Sequence, residues 1–528
     1  MGTYINIGNA GFQSARNSEY VDKSGLISIV NKSLFTERRY SCVSRCRRFG
    51  KSMAAKMLYA YYDHSCDSRS LFADLQISGD PTFEQHLNKY AAIYLDMTSF
   101  VTLYHDERIV DKIDAALLED VSKAYPNVPV KQEDSLMDYL LRVSIEKGEQ
   151  FVFIIDEWDA ICREFASGTK AMDNYVGWLR RMFKSQDGMR VFACVYMTGI
   201  LPIKKYDTQS ALNNFQEYSM MKPGGMGEYF GFTKDEVNSL AEKHNMELEE
   251  LEKWYDGYQI GNVSSIFNPN SVMTALMEQW CESYWGRTGA TEVITGYIRM
   301  NYEGLKDDII FMLAGGRCKV NPTRFQNDMS IIESKDDVLT VLIHLGYLSY
   351  DRNKMECYIP NKEVAGEMEN AVEDNNWKPV VDALKASEQL LQDTLDGDEE
   401  AVAQGVDAAH DENTSILSYN NENSLACVLS IAYYYAKNDY VMYRELPTGK
   451  GFADIVLIPR KNVVSPAIVL ELKYNKDADS AIDQIHRKQY PEKVAPHSDN
   501  LLLVGINYDK TTKQHQCKIE RTTTDKTD

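Results

Sequence analysis

Three apolar runs constrain the first two hundred residues more tightly than any other feature. Ala91-Ala92-Ile93-Tyr94-Leu95, Phe151-Val152-Phe153-Ile154-Ile155 and Val191-Phe192-Ala193-Cys194-Val195 are almost uninterrupted by polar side chains. A strand wetted on one face alternates polar and apolar residues, whereas a strand covered on both faces does not. Amphipathic helical stretches separate the runs, as βαβ crossovers require. The expectation is an α/β fold built on a parallel sheet.

At 528 residues the chain is too long for one core, and two to four domains are expected. From about residue 230 the pattern changes to helices with aromatic punctuation, as in Trp254-Tyr255-Asp256-Gly257-Tyr258. Between about 303 and 364 two helical stretches precede Gly346-Tyr347-Leu348-Ser349-Tyr350, a polar turn at Asp351–Lys354 and a second strand at Glu356–Ile359. That order suits a winged-helix-like unit or, equally, an unspecialised helical domain. Residues 386–415 carry Asp396, Asp398, Glu399, Glu400, Asp411 and Glu412 with little apolar content, and read as a solvated helix or linker. Strand patterning returns at Phe452–Ile458, Ala467–Leu472 and Leu501–Ile506, a second small α/β unit. The expected division is 1–220, 221–385, 386–415 and 416–528.

A net charge of −21 argues against a protein that coats nucleic acid nonspecifically, since such binding neutralises many phosphates. It leaves room for a metal-dependent nuclease, whose site is acidic, with any DNA or RNA contact made by local basic patches. No apolar run approaches bilayer length and no signal peptide is visible, so a cytoplasmic protein without membrane contact is expected. The ten cysteines include no Cys-x-x-Cys, and Cys42 and Cys46 lack downstream partners. Free thiols in a reducing compartment are expected.

Ser44-Arg45-Cys46-Arg47-Arg48-Phe49-Gly50-Lys51-Ser52 follows a short strand, Tyr40–Val43, and opens a helix through Met53, Ala54, Met57 and Leu58. In that context Arg48, Gly50, Lys51 and Ser52 form a candidate phosphate loop for ATP. Lys51 would reach the β and γ phosphates, and Ser52 would ligate magnesium. The first glycine of G-x-x-x-x-G-K-[ST] falls at position 45, where this chain has arginine. Arg45, Arg47 and Arg48 either face phosphates or form a solvated basic turn. The Phe151–Ile155 strand then ends in Asp156-Glu157, with Asp156 suited to hold magnesium and Glu157 to orient the attacking water. A third strand ends in Thr198-Gly199, where Thr198 could sense the γ-phosphate.

Near the C-terminus, Asp454 lies in one strand and Glu471-Leu472-Lys473 in the next. Strand alternation puts Glu471 and Lys473 on one face. If the strands are neighbours, Asp454 and Glu471 can share a magnesium ion while Lys473 stabilises charge on a phosphate. Gln484, on a following helix from Ala478 to Gln489, could support them, and Tyr490 ends that helix. Glu422 could be a further acidic ligand or simply favour a helix N-terminus, and Glu445 is a weaker candidate.

Several of these motifs occur in a fixed order that resembles a known family. Tyr20-Val21-Asp22-Lys23, the loop at 44–52, Ile-Asp-Glu-x-Asp at 155–159, Thr198-Gly199-Ile200, Tyr229-Phe230-Gly231-Phe232-Thr233, Trp254–Tyr258 and Leu345-Gly346-Tyr347-Leu348 are similar to AAA-ATPase-like proteins abundant in gut Bacteroidetes and Clostridia. Those proteins usually carry a C-terminal domain of the PD-(D/E)XK nuclease superfamily, whose core Asp454, Glu471 and Lys473 resemble residue by residue. The arginine-rich loop is that family's usual form. The resemblance implies ATP binding and a nuclease-like fold. The expected function is an ATP-binding, ATP-hydrolysing switch coupled to a magnesium-dependent DNA or RNA phosphodiesterase, with homo-oligomerisation left open. Two alternatives remain: a nucleotide-gated regulatory protein with a catalytically silent nuclease fold, and an ATPase whose C-terminal module binds protein.

Overall fold

The Phe151–Ile155 run is continuous because its alternate residues enter two different cores. In the computed structural model, parallel strands β1 (Tyr40–Ser44), β2 (Ala91–Asp96), β3 (Phe151–Asp156), β4 (Phe192–Gly199) and β5 (Gln216–Tyr218) form a sheet in the order β2-β3-β4-β1-β5. Phe151, Phe153 and Ile155 pack with Ile113, Leu117 and Trp178 on one side. Val152 and Ile154 pack with Leu58, Tyr61 and Tyr62 on the other. The structure describes all residues except 1, 105, 166–168, 204, 207–208, 211, 286–289, 301, 314–315, 328–330, 374–377, 414–428, 430–431, 438, 449–450, 461–462, 489–499 and 524–528.

The strand order carries the functional consequence. With β4 between β1 and β3, the loop after β1 and the acids after β3 meet across the end of β4. Ligands of open α/β sheets bind at such carboxyl edges. Helix α1 (Lys51–Tyr62) leaves the β1 loop, and the short helix α2 (Ala160–Glu164) follows the acids.

The chain forms two compact units, one of Met1–Leu305 and Cys318–Met368, the other of Lys306–Arg317 and Glu369–Asp528. Much of the helical middle region therefore folds with the parallel sheet. Its helix Lys234–His244 begins with a capping box between Thr233 and Glu236 and ends at Asn245 in the left-handed conformation. Helix Lys335–Leu345 is capped by Ser334 and stopped by Gly346, at φ 89°. The hairpin Ser349–Asp351 with Glu356–Tyr358 follows, and Cys318–Lys319 adds a third strand beside Glu356–Tyr358. This helix-then-hairpin order is winged-helix-like.

In the second unit, β6 (Tyr440–Thr448), β7 (Gly451–Pro459), β8 (Ala467–Tyr474), β9 (Asn500–Asp509) and β10 (Gln514–Thr523) form a mixed sheet in sequential order, with only β8 and β9 parallel. The stretch expected as a solvated helix or linker is helical but packed rather than solvated. Helices α3 (Lys378–Asp396) and α4 (Glu399–Asn413) cover one face of this sheet, burying Leu390, Leu391, Val402 and Val406 against Ile468, Leu470 and Leu472. A few correctly spaced apolar residues make an inner face despite the acidic average. The acids take terminal positions: Gly397 turns at φ 83° and the Asp398 side chain accepts from Ala401 N. Helix α5 (Ala478–Arg487) covers the opposite face through Ile482 and Ile485. No helix among the described residues is long and apolar enough to cross a membrane.

Candidate functional site

The β1 loop owes its shape to Gly50, which caps α1 at φ 85°. A Cβ there would meet nothing within 4 Å, so the left-handed backbone rather than crowding calls for glycine. Arg48 adopts φ 66°, and its guanidinium donates to Tyr284 O at 2.9 Å. Arg45 does neither of the things expected of it. It is fully buried, and its guanidinium donates to the carbonyls of Ser44 and Tyr218 at 2.8 Å and of Met226 at 3.3 Å, above the Phe230 ring. Burial pushes it down to about 10. Arginine is tolerated at position 45 because its side chain leaves the phosphate face altogether. Arg47 is exposed.

A cavity of about 450 Å³ opens beside the loop, within the usual range of small-molecule sites. Lys51, Ser52 and Glu157 line it together with the apolar side chains Tyr20, Phe232 and Met273. Lys51 is buried, donates to Cys46 O at 3.1 Å, and lies 3.5 Å from Glu157 Oε1. Glu157 adopts φ 54°, an uncommon and strained conformation for a residue with a Cβ. Its Oε2 accepts from Arg163 on α2 at 2.5 Å.

Asp156 is buried, its oxygens accepting from Tyr94 Oη at 3.0 Å and from Thr198 Oγ1. Thr198 also accepts from Glu157 N at 3.3 Å. Thr198 is fully buried, so it supports the acidic pair and does not line the cavity. Asp159 is fully buried as well, with Oδ2 accepting from Ile200 N and Leu201 N and lying 3.6 Å from Arg163 Nε. Tyr94 and Arg163 were missed from the sequence. The i,i+4 spacing of Asp159 and Arg163 was the available signal for the latter.

Strand alternation builds the second site. On β7 and β8, Val456 and Val469 face α5. Asp454, Glu471 and Lys473 share their parity and therefore that face. Since Ile455 pairs with Leu470, Asp454 comes beside Glu471. Asp454 Oδ2 accepts from Leu472 N at 2.8 Å. Lys473 Nζ donates to Glu471 Oε1 at 3.1 Å and to Leu472 O at 2.8 Å, and Gln484 Nε2 also donates to Glu471 Oε1. Gly505, opposite Glu471 on β9, admits α5, because a Cβ there would lie 2.5 Å from Ala478 O.

Burial, and then the charge of Asp454, pushes the Glu471 carboxyl up to about 7. Its Oε2 is buried with no hydrogen-bond partner. An unsatisfied carboxylate oxygen facing a second carboxylate fits a hard divalent cation such as magnesium. Among the described residues no three His, Cys, Asp or Glu cluster as metal ligands, so the protein would offer two acidic donors here. Glu422 and Tyr490 lie outside the described residues, as does the Glu445 side chain.

No curated protein matches the chain. Among solved structures, Cdc6p from Pyrobaculum aerophilum is 12% identical, over 69% of this chain and 98% of that one, with a TM-score of 0.27. The ORC2 protein of Aeropyrum pernix, an ADPNP–ADP complex, is 13% identical over 69% and 98%, with a TM-score of 0.31. These likenesses are weak. The family matches are definite: residues 6–209 match the predicted AAA-ATPase family, and residues 420–518 the PD-(D/E)XK nuclease superfamily. The chain thus carries an N-terminal stretch similar to the predicted AAA-ATPase family and a C-terminal stretch similar to the PD-(D/E)XK nuclease superfamily.

Proposed function

We propose that the protein is an ATP-binding, ATP-hydrolysing switch whose C-terminal unit is a magnesium-dependent phosphodiesterase acting on DNA or RNA. The observations that carry this reading are the contact of the loop lysine with the acid after β3 in the first unit and the Lys473 and Gln484 hydrogen bonds to Glu471 in the second. In the first unit, Lys51 and Glu157 lie 3.5 Å apart and line a cavity that aromatic and apolar side chains also line. Phosphates would sit on the loop and Lys51, the base against Tyr20 and Phe232, and Glu157 beside the attacking water. Ser52 and Asp156 would hold the magnesium that accompanies the nucleotide.

In the second unit, Asp454 and Glu471 would hold a magnesium ion, which when bound supplies a Lewis acid against the phosphate. Lys473 now anchors Glu471 Oε1. Its ammonium would turn toward a phosphate oxygen as substrate arrives, while Gln484 keeps Glu471 in place.

The test uses full-length protein, magnesium, and single- and double-stranded DNA and RNA, with and without ATP. Wild type should cleave at least one substrate, at a rate that responds to ATP, and Lys473→Ala should not cleave. A wild type inert on all four would instead support a catalytically silent fold that binds nucleic acid. Cleavage indifferent to ATP would sink the coupling.

A further inference from the structure

Resting on the ATPase reading above, we propose that Arg163 is a positioning residue for hydrolysis, fixing one oxygen of Glu157 so that the other is left for water. The two carboxylate oxygens have different partners. Oε2 accepts from Arg163 Nη2 at 2.5 Å, whereas Oε1 is 3.5 Å from Lys51 Nζ. The first is a short charge-assisted hydrogen bond and the second a looser ion pair. Lys51 already donates to Cys46 O within the loop, so bound phosphates take a lysine that Glu157 holds only weakly. Lys51 then leaves Oε1, and Arg163 keeps Oε2.

Arg163 also faces a second acid. Its Nε makes no hydrogen bond but lies 3.6 Å from Asp159 Oδ2, and that oxygen accepts from Ile200 N and Leu201 N just beyond β4. Asp159 is fully buried, and the Arg163 side chain is only 17% exposed. The guanidinium thus sits between two acids, hydrogen-bonded to Glu157 and in a looser ion pair with Asp159, which is fixed to the backbone beyond β4. Such an anchor answers a need that Glu157 has on its own account, since at φ 54° its backbone is not in a preferred well. An arginine keeps its proton at any working pH, so it serves as a fixed donor and not as an acid.

The test compares ATP binding by calorimetry with steady-state hydrolysis in full-length protein. Arg163→Ala should leave ATP affinity and KM within about threefold and lower kcat on the order of 10²-fold, the scale for a misplaced reacting group. Arg163→Lys should recover part of the loss. The double variant Arg163→Ala with Glu157→Gln should be no slower than Glu157→Gln alone, because Arg163 acts through Glu157. If Arg163→Ala does not fold, Arg163→Gln, which keeps a donor without charge, takes its place with the same expected loss in kcat. Unchanged or raised kcat in a folded variant overturns the assignment, as does a double variant slower than Glu157→Gln. Absence of turnover in wild type overturns the ATPase reading and this assignment together. Wild-type turnover matched by the variant overturns this assignment alone.

Discussion

Arg48 of the phosphate loop donates to the carbonyl oxygen of Tyr284, 2.9 Å away, so the loop is hydrogen-bonded to the region that follows the helix Pro269–Glu278. Tyr284 is fixed in turn by Glu363, whose Oε1 accepts from Tyr284 N at 2.8 Å, Trp285 N at 3.0 Å and Ser271 Oγ at 2.9 Å. The same region closes on the loop elsewhere. A Cβ on Gly346 would come within 2.6 Å of Cys46 Cβ, and the Tyr258 ring stands edge-on to Phe49 at 5.0 Å. Any displacement of the loop would have to be accommodated at Tyr284, Gly346 and Tyr258.

Glu363 makes that network sensitive to pH. Its carboxyl is pushed up to about 7 by burial, and its Oε2 is buried without a hydrogen-bond partner. A folded value above the ordinary carboxylate range favours the protonated form. Its contribution to stability is complete below about pH 4.5 and is lost as pH rises through about 7. Glu363→Gln keeps an acceptor for both amides. It should raise stability at pH 8 on the order of 2 kcal/mol and flatten the dependence between pH 5 and 8. Urea unfolding at the two pH values checks this; parallel losses in variant and wild type would contradict it.

Lys51→Ala should weaken ATP binding by about 2 kcal/mol or more, roughly thirtyfold in Kd, because the phosphates lose a charged donor. Calorimetry on a variant with a wild-type thermal midpoint measures it. Unchanged affinity would remove the phosphate-loop assignment.

Arg45→Ala should destabilise the first unit by about 3 kcal/mol, because the carbonyls of Ser44, Tyr218 and Met226 lose their donor in a buried setting. Arg45→Lys should restore little, since one ammonium cannot span what a guanidinium fork spans. Arg45→Gly, which reinstates the common loop pattern, should be no more stable than Arg45→Ala. Denaturant midpoints of the three variants decide the matter, and a stable Arg45→Gly would refute the buried-anchor role.

Magnesium or manganese should stabilise the C-terminal unit in the full chain by about 2.7 kcal/mol at a hundred times Kd, read as a rise in its thermal midpoint. With Glu471 pushed up to about 7, the response should be larger at pH 8 than at pH 6, where a proton competes for the same oxygen. Asp454→Asn should abolish the shift, and Lys473→Ala should retain it. A shift that survives Asp454→Asn would place the cation elsewhere.

The buried parallel strands, the loop-strand-acid order and the Asp454, Glu471 and Lys473 set were legible in the sequence because each rests on local periodicity or short spacing. Glu471 and Lys473 had to share a face wherever their strand went. The α3–α4 stretch was legible as helix but not as packed, because its acids dominate the composition while Leu390, Leu391, Val402 and Val406 decide its packing.

The sequence by itself determined which residues are candidates for phosphate, water and metal, and the order in which they come. Tertiary structure alone decided where their side chains go. Arg45 and Arg48 are three residues apart in one basic loop, yet one is buried among carbonyls and the other reaches Tyr284. Thr198 meets Asp156 because β4 lies beside β3 in the sheet, and Arg163 reaches Glu157 from the short helix that follows β3. Local pattern fixes the face of a strand or helix on which a residue sits. What stands opposite that face depends on strand order, and strand order is settled by burying both faces of the sheet at once.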